Sequence, residues 1–149
     1  MSIPWGKLEH FGRHEFDDPL HPGSGDKIDG TLLALFVRMR YDIGYPIITH
    51  HGVGGCVDID GSHGHGVNSY HLLKQGCKAV DFHIRTNELT AREKCYYVLN
   101  SGFTGVGIYY WWRWNGEPLD VGFHVDIRPK DRIQYWTSSK RGEYTYFLK

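Results

Sequence analysis

Val80-Asp81-Phe82-His83-Ile84-Arg85 and Phe123-His124-Val125-Asp126-Ile127-Arg128 are the two stretches on which the fold of this chain turns. In a strand, side chains at i, i+2 and i+4 share one face. Val80, Phe82 and Ile84 therefore go to one side, and Asp81, His83 and Arg85 to the other. In the second stretch, Phe123, Val125 and Ile127 oppose His124, Asp126 and Arg128. Each strand anchors itself by an apolar face and presents histidine, aspartate and arginine on the opposite face. The polar face of an ordinary antiparallel sheet is the simplest alternative, but such faces are more often filled with threonine, lysine and glutamate.

The surrounding sequence supplies the other elements. Leu32, Leu35, Phe36 and Met39 recur at helical spacing, so Thr31 to Asp42 is expected to form a helix that Gly44 closes. Tyr45-Pro-Ile-Ile-Thr-His50 predicts a strand entering the core. His51 to Asn68 is glycine-rich and irregular, a length of loop that is functional or mobile. Thr90-Ala-Arg-Glu93 is a capping box, in which hydroxyl and carboxylate each satisfy a free backbone N–H. It opens a helix running to about Asn100, with Gly102 at its end. Gly105–Trp114, Phe123–Arg128, Ile133–Thr137 and Tyr144–Leu148 predict strands, rich in aromatic and β-branched residues. Helices followed by a run of strands give an α+β class with a central antiparallel sheet and helices packed on one side.

The chain has 149 residues, which fits one domain over residues 1–149. Its 17 basic and 17 acidic residues cancel, which argues against a nucleic-acid partner. There is no apolar run of the ~18 residues that a membrane span needs. The start, Met1-Ser-Ile-Pro-Trp-Gly-Lys7, has no hydrophobic stretch before a small-residue cleavage site. The expectation is synthesis in the cytoplasm without a signal peptide. Cys56, Cys77 and Cys95 are odd in number and widely spaced, so they read as three reduced thiols rather than a disulfide framework or a zinc knuckle. The ten histidines are the unusual component, because neutral imidazole is a ready metal ligand.

The two polar strand faces suit a metal that takes imidazole nitrogen and carboxylate oxygen, as zinc does. His71, just upstream of the first strand, completes a His/Asp/His set. A further carboxylate is needed as general base and acid. Asp126 shares a face with His124, and Asp120 lies in a presumed loop before it. His63 and His65 flank Gly64 in the glycine-rich stretch. They are candidate ligands of a second metal, or alternative ligands of the first, against a plain flexible polar loop. Tyr109-Tyr-Trp-Trp-Arg-Trp114 can complete a small core, stack on sugar rings or line a peptide groove.

Asn68-Ser69-Tyr70-His71, followed by Ala79-Val80-Asp81, resembles the Ser-x-His and Ala-x-Asp signature of the zinc D-Ala-D-Ala carboxypeptidases. That family includes phage L-alanyl-D-glutamate endopeptidases and shares its fold with the Hedgehog signalling domain. Gly105-Val-Gly-Ile-Tyr109 and Phe123-His-Val-Asp-Ile-Arg128 are similar to the family's closing strands, and His10-Phe-Gly-Arg-His-Glu-Phe16 to its entry segment. The resemblance spans roughly residues 10–137. It implies His71, Asp81 and His124 as ligands of a Zn²⁺ cofactor. It implies Asp126 as a catalytic or supporting carboxylate, and Arg128, Ser69 and His83 as substrate-binding residues. The chain departs from the pattern in two places. His71 and Asp81 are ten positions apart, a longer interval than in the family, and His50-His-Gly-Val-Gly-Gly55 lacks the family's substrate-binding arginine. His50 or His51 is a candidate for that vacant place.

The implied function is zinc-dependent hydrolysis of an amide bond in peptidoglycan stem peptides, of the D,D-carboxypeptidase or L-Ala-D-Glu endopeptidase type. A phage or prophage lysis enzyme, monomeric and acting on the cell wall or periplasm after release, is the implied setting. The second reading is a non-catalytic metal-binding or structural protein that keeps the fold.

Overall fold

Asp29 starts the first helix by accepting the backbone N–H groups of Thr31 and Leu32, two of the donors that a helix N-terminus leaves open. The structure, a computed structural model, describes residues 2–148. Helix α1 runs Gly30–Ile43, and its last turn closes with Gly44 N–H on Arg40 O. Leu32, Leu33, Phe36, Met39 and Ile43 form its buried stripe. Leu35, expected in that stripe, is only partly buried at its edge. Strand β1, Ile47–Thr49, is shorter than the sequence suggests because Tyr45 and Pro46 precede the ladder.

Strand β2, Ala79–Ile84, is followed by helix α2, Ala91–Leu99, whose Thr90/Glu93 capping box forms as expected. Strand β3, Gly105–Tyr109, ends earlier than predicted. The aromatic run after it turns away into a separate hairpin, β4 (Arg113–Trp114) with β5 (Glu117–Pro118). Asn115 and Gly116 take positive φ at its tip, the backbone that a tight hairpin turn needs. Strands β6 (Gly122–Asp126), β7 (Gln134–Lys140) and β8 (Glu143–Leu148) complete the main sheet.

The sheet has six strands in the order β1-β2-β6-β3-β7-β8. The class is α+β, but the sheet is mixed rather than purely antiparallel. β3 and β7 run parallel, with Gly105 opposite Gln134 and Tyr109 opposite Ser138. The reason is geometric. β6 returns antiparallel to β3, and the chain then steps over β3 to its far side. Reversing twice restores the direction of β3.

One face of the sheet carries Val80, Phe82, Phe123, Val125, Val106 and Ile108 into a hydrophobic cluster that α1 fills with Leu32, Phe36 and Met39, and α2 with Val98. Phe36 meets Phe82 edge-on at 5.1 Å, and Phe82 stacks on Phe123 at 5.4 Å. Burying each such ring contributes about 1.5–3 kcal/mol. The apolar alternation read from the sequence is therefore the face that holds β2 and β6 in place. The register that follows sets Asp81 directly beside His124 on the other face.

Candidate metal centre

Asp81 and His124 are cross-strand neighbours because Phe82 pairs with Phe123 one residue along. His71 arrives from the loop ahead of β2, where its N–H is held by Ser69 Oγ. The three side chains converge on one oxygen. Asp81 Oδ1 lies 3.1 Å from His71 Nε2 and 2.8 Å from His124 Nδ1.

The far nitrogen of each ring is also engaged. His71 Nδ1 donates to the Cys56 carbonyl at 2.9 Å. His124 Nε2 donates to Asp126 Oδ2 at 2.7 Å. Each bond fixes its ring from behind and turns the other ring nitrogen to Asp81, where it donates to the carboxylate in the absence of a metal and would give up that proton to ligate one. Fixing the ring from behind in this way is what metal-ligating histidines require. His65, His71 and Asp81, whose ligand atoms lie within 4.8 Å of one another, could hold a metal ion, and His124 reaches the same Asp81 oxygen from the adjoining strand.

The charges agree with that arrangement. Burial would raise the Asp81 carboxyl, but the charge of His71 and the hydrogen bonds of His124 and His71 hold it well below the usual carboxylate range. Burial would lower His124, but its hydrogen bonds to Asp126 and Asp81 push it up to about 9. The cluster thus holds Asp81 as an anion and favours a protonated His124 beside it.

Asp126 is wholly buried and fully committed. Its Oδ1 accepts Arg128 Nε at 2.8 Å, and its Oδ2 accepts Arg128 Nη2 at 2.6 Å. Against its burial, these bonds and that of His124 hold its carboxyl far below the usual range. Gly105 makes room for the pair, since a Cβ there would overlap Asp126 Oδ1. Gly107 does the same for Trp136, whose Nε1 would lie 2.6 Å from an added Cβ. The Arg128 guanidinium is sandwiched between the Tyr70 and Trp136 rings, 5.3 and 5.0 Å from their centres.

A cavity of about 420 Å³ opens over the cluster, lined among others by Ser69, His71, Asp81, His124, Asp126 and Arg128. Of the substrate-binding residues expected from sequence, Ser69 and Arg128 reach it and His83 does not. His83 is buried, bonded to His50 at 2.8 Å, and lines a different cavity with Lys94 and Asp120. Asp120 is likewise remote, forming an ion pair with Lys94 at 2.8 Å.

Two further residues of this cavity, Tyr109 and Trp136, were not singled out for it by sequence. Tyr109 lines it, and its hydroxyl oxygen accepts a hydrogen bond from Trp136 Nε1–H at 2.9 Å. Burial raises its phenol, which stays protonated with its own O–H to give. Trp136 itself lies 5.5 Å from the His124 ring. His65, weighed from sequence as a candidate metal ligand against a plain flexible loop, stacks on His71 at 4.4 Å and donates Nδ1–H to Asp58 at 2.7 Å. A His65 nitrogen lies within 4.8 Å of the ligand atoms of His71 and Asp81. Burial and the neighbouring His71 lower its basicity.

A second cavity of about 380 Å³ shares Asp81 and His65 with the first and extends along His50, Trp111, Trp112, Arg113 and Arg141. No described helix is long and apolar enough to cross a membrane. Comparison of the chain with protein-family models, curated proteins and solved structures finds no match.

Proposed function

We propose that this protein is a zinc-dependent peptidase that hydrolyses an amide bond in peptidoglycan stem peptides, with His71, Asp81 and His124 as the ligands. The observation that carries the proposal is the pair of imidazoles pinned from behind, by the Cys56 carbonyl and by Asp126, with the other nitrogen of each on Asp81 Oδ1. The resemblance to the zinc D-Ala-D-Ala carboxypeptidases supports the substrate class, and with it a Hedgehog-like arrangement of the domain.

Zinc held there supplies a Lewis acid and lowers the pKa of bound water to about 7. The side chains around it divide the remaining work. Asp126 orients His124 rather than transferring the proton, because both its oxygens are engaged with Arg128 and His124. His65 is the better proton acceptor. Asp58 fixes its Nδ1–H and leaves the other nitrogen free, the geometry that a general base needs. Tyr109 donates its O–H to the carbonyl oxygen as negative charge develops there. Arg113 and Arg141, with Arg141 5.1 Å above the Trp111 ring, offer cationic contacts for the carboxylates of an acidic stem peptide. As a lysis enzyme of phage type, the protein would reach the wall after release from the cytoplasm.

The non-catalytic reading draws on one feature. If His65 ligates as well, four protein donors close the site, as in structural zinc centres. Mass spectrometry of purified soluble muropeptides incubated with zinc-loaded protein separates the two. The peptidase reading predicts cleavage that His124→Ala abolishes, with the product masses distinguishing loss of terminal D-Ala from a cut between L-Ala and D-Glu. Intact muropeptides from several wall types, despite stoichiometric zinc, overturn it.

A further inference from the structure

Asp18 and Asp58 are both wholly buried, and among the described residues no lysine or arginine lies within ion-pair distance of either. Their counter-groups are histidines. Asp18 Oδ1 faces His63 Nε2 at 2.8 Å, and Asp58 Oδ2 faces His65 Nδ1 at 2.7 Å. His21 Nδ1, a buried nitrogen, lies 3.3 Å from Asp18 Oδ2 yet has no hydrogen-bond partner. Ligand atoms of Asp18, Asp58 and His63 all lie within 4.8 Å of one another. Two carboxylates and an imidazole this close offer three donors to one cation.

The backbone holds the carboxylates in place without using them up. Asp18 accepts the N–H groups of Leu20 and Ile59, and Asp58 accepts that of Gly61. A carboxylate has about four acceptor positions, so Asp58 keeps capacity beside Gly61 and His65, and on Asp18 an ion would take the position that His63 fills. We propose that Asp18, Asp58 and His63 form a second, structural site for a divalent transition-metal ion of the zinc class. The imidazole in the set selects for such an ion over calcium or magnesium, which prefer oxygen throughout.

The site joins parts of the chain that are distant in sequence. Asp18 belongs to the N-terminal segment, and Asp58 and His63 to the glycine-rich stretch. An ion there clamps that stretch to the body of the protein. Asp58 also orients His65, and its backbone is bonded to His71 O and Leu73 N. Occupancy therefore steadies the residues beside the first centre. The inference does not depend on the peptidase reading.

The test is zinc content of the full chain after chelator treatment, reloading with zinc alone and desalting. The wild type should retain about two ions per chain, the His71→Ala/His124→Ala variant about one, and His63→Gln and Asp58→Asn about one each. Zinc should raise the melting temperature of the His71→Ala/His124→Ala variant, and adding His63→Gln should remove that rise. A wild type with one ion that His63→Gln keeps and His71→Ala/His124→Ala loses overturns this site and leaves the first standing. The reverse pattern removes the first and leaves this one. Anomalous diffraction from zinc-loaded wild-type crystals needs no variant to fold. Density between Asp18, Asp58 and His63 supports the site, and its absence alongside density at Asp81 overturns it.

Discussion

Asp126 touches the centre only through His124, yet its substitution should be felt there. Asp126→Asn removes the charge that fixes the His124 ring and frees Arg128 from its carboxylate. Zinc affinity should fall by about 10–100-fold, read by competition with a chromophoric chelator; unchanged affinity would contradict the role. His50 and His83 are a second pair set by position. Their ring nitrogens share one hydrogen bond at 2.8 Å, and Trp112 and Trp114 pack on His50 and Trp114 on His83. Burial lowers each from 6.5 to about 4. Between those values the unfolded chain binds more protons than the folded one, so stability is lost as pH falls through that window. Melting temperature should drop from pH 6.5 towards 4, and more gently in His83→Gln; equal slopes would refute the assignment. Alternation alone made Asp81, His124 and Asp126 legible in the sequence. It failed for His83, which shares the face of Asp81 but lies beyond the cavity under the β4–β5 hairpin. It could not find His65, whose place depends on a bond to Asp58 within an irregular loop.

Gly105 and Gly107 show how one strand serves the centre by having no side chains. Gly105→Ala would drive a Cβ into Asp126 and Arg128. It should cost about 1–3 kcal/mol and weaken zinc binding together with stability; denaturant melts and metal titration on the same variant check both. Asp120 belongs to the loop before β6 and ties it to α2 through the buried Lys94 amine. Asp120→Asn leaves that amine poorly paired. Because Asp120 itself is half-exposed, about 1–2 kcal/mol is expected rather than the full cost of breaking a buried pair. Any hydrolytic activity should persist, and its loss in a folded protein would return Asp120 to the role of base. Helix α1 and the capping box of α2 could be read directly, because helical spacing and caps are local. The parallel pairing of β3 with β7 could not, since it arises from a chain crossing that no local pattern records. The Asn115-Gly116 turn was a usable signal that the aromatic run obscured.

Across the whole molecule, a single apolar face of two strands sets the geometry of everything opposite it. Phe82 and Phe123 pack under α1, and that register delivers Asp81 to His124. The α+β class and the three proposed ligands followed from residue alternation and the resemblance. Of the second cluster, His63 was legible as a candidate ligand of a second metal, but Asp18 and Asp58 were not, because the cluster joins the N-terminal segment to a loop with no periodicity. The central claim is that the oxygen of Asp81 gathers His71 and His124 into a hydrolytic zinc centre. Its most direct test is muropeptide hydrolysis followed by mass spectrometry, through chelation and graded return of zinc. Activity should disappear on chelation, return as zinc is restored to the wild type, and never return in a folded Asp81→Asn variant. Hydrolysis that survives chelation, or that Asp81→Asn retains, would contradict it.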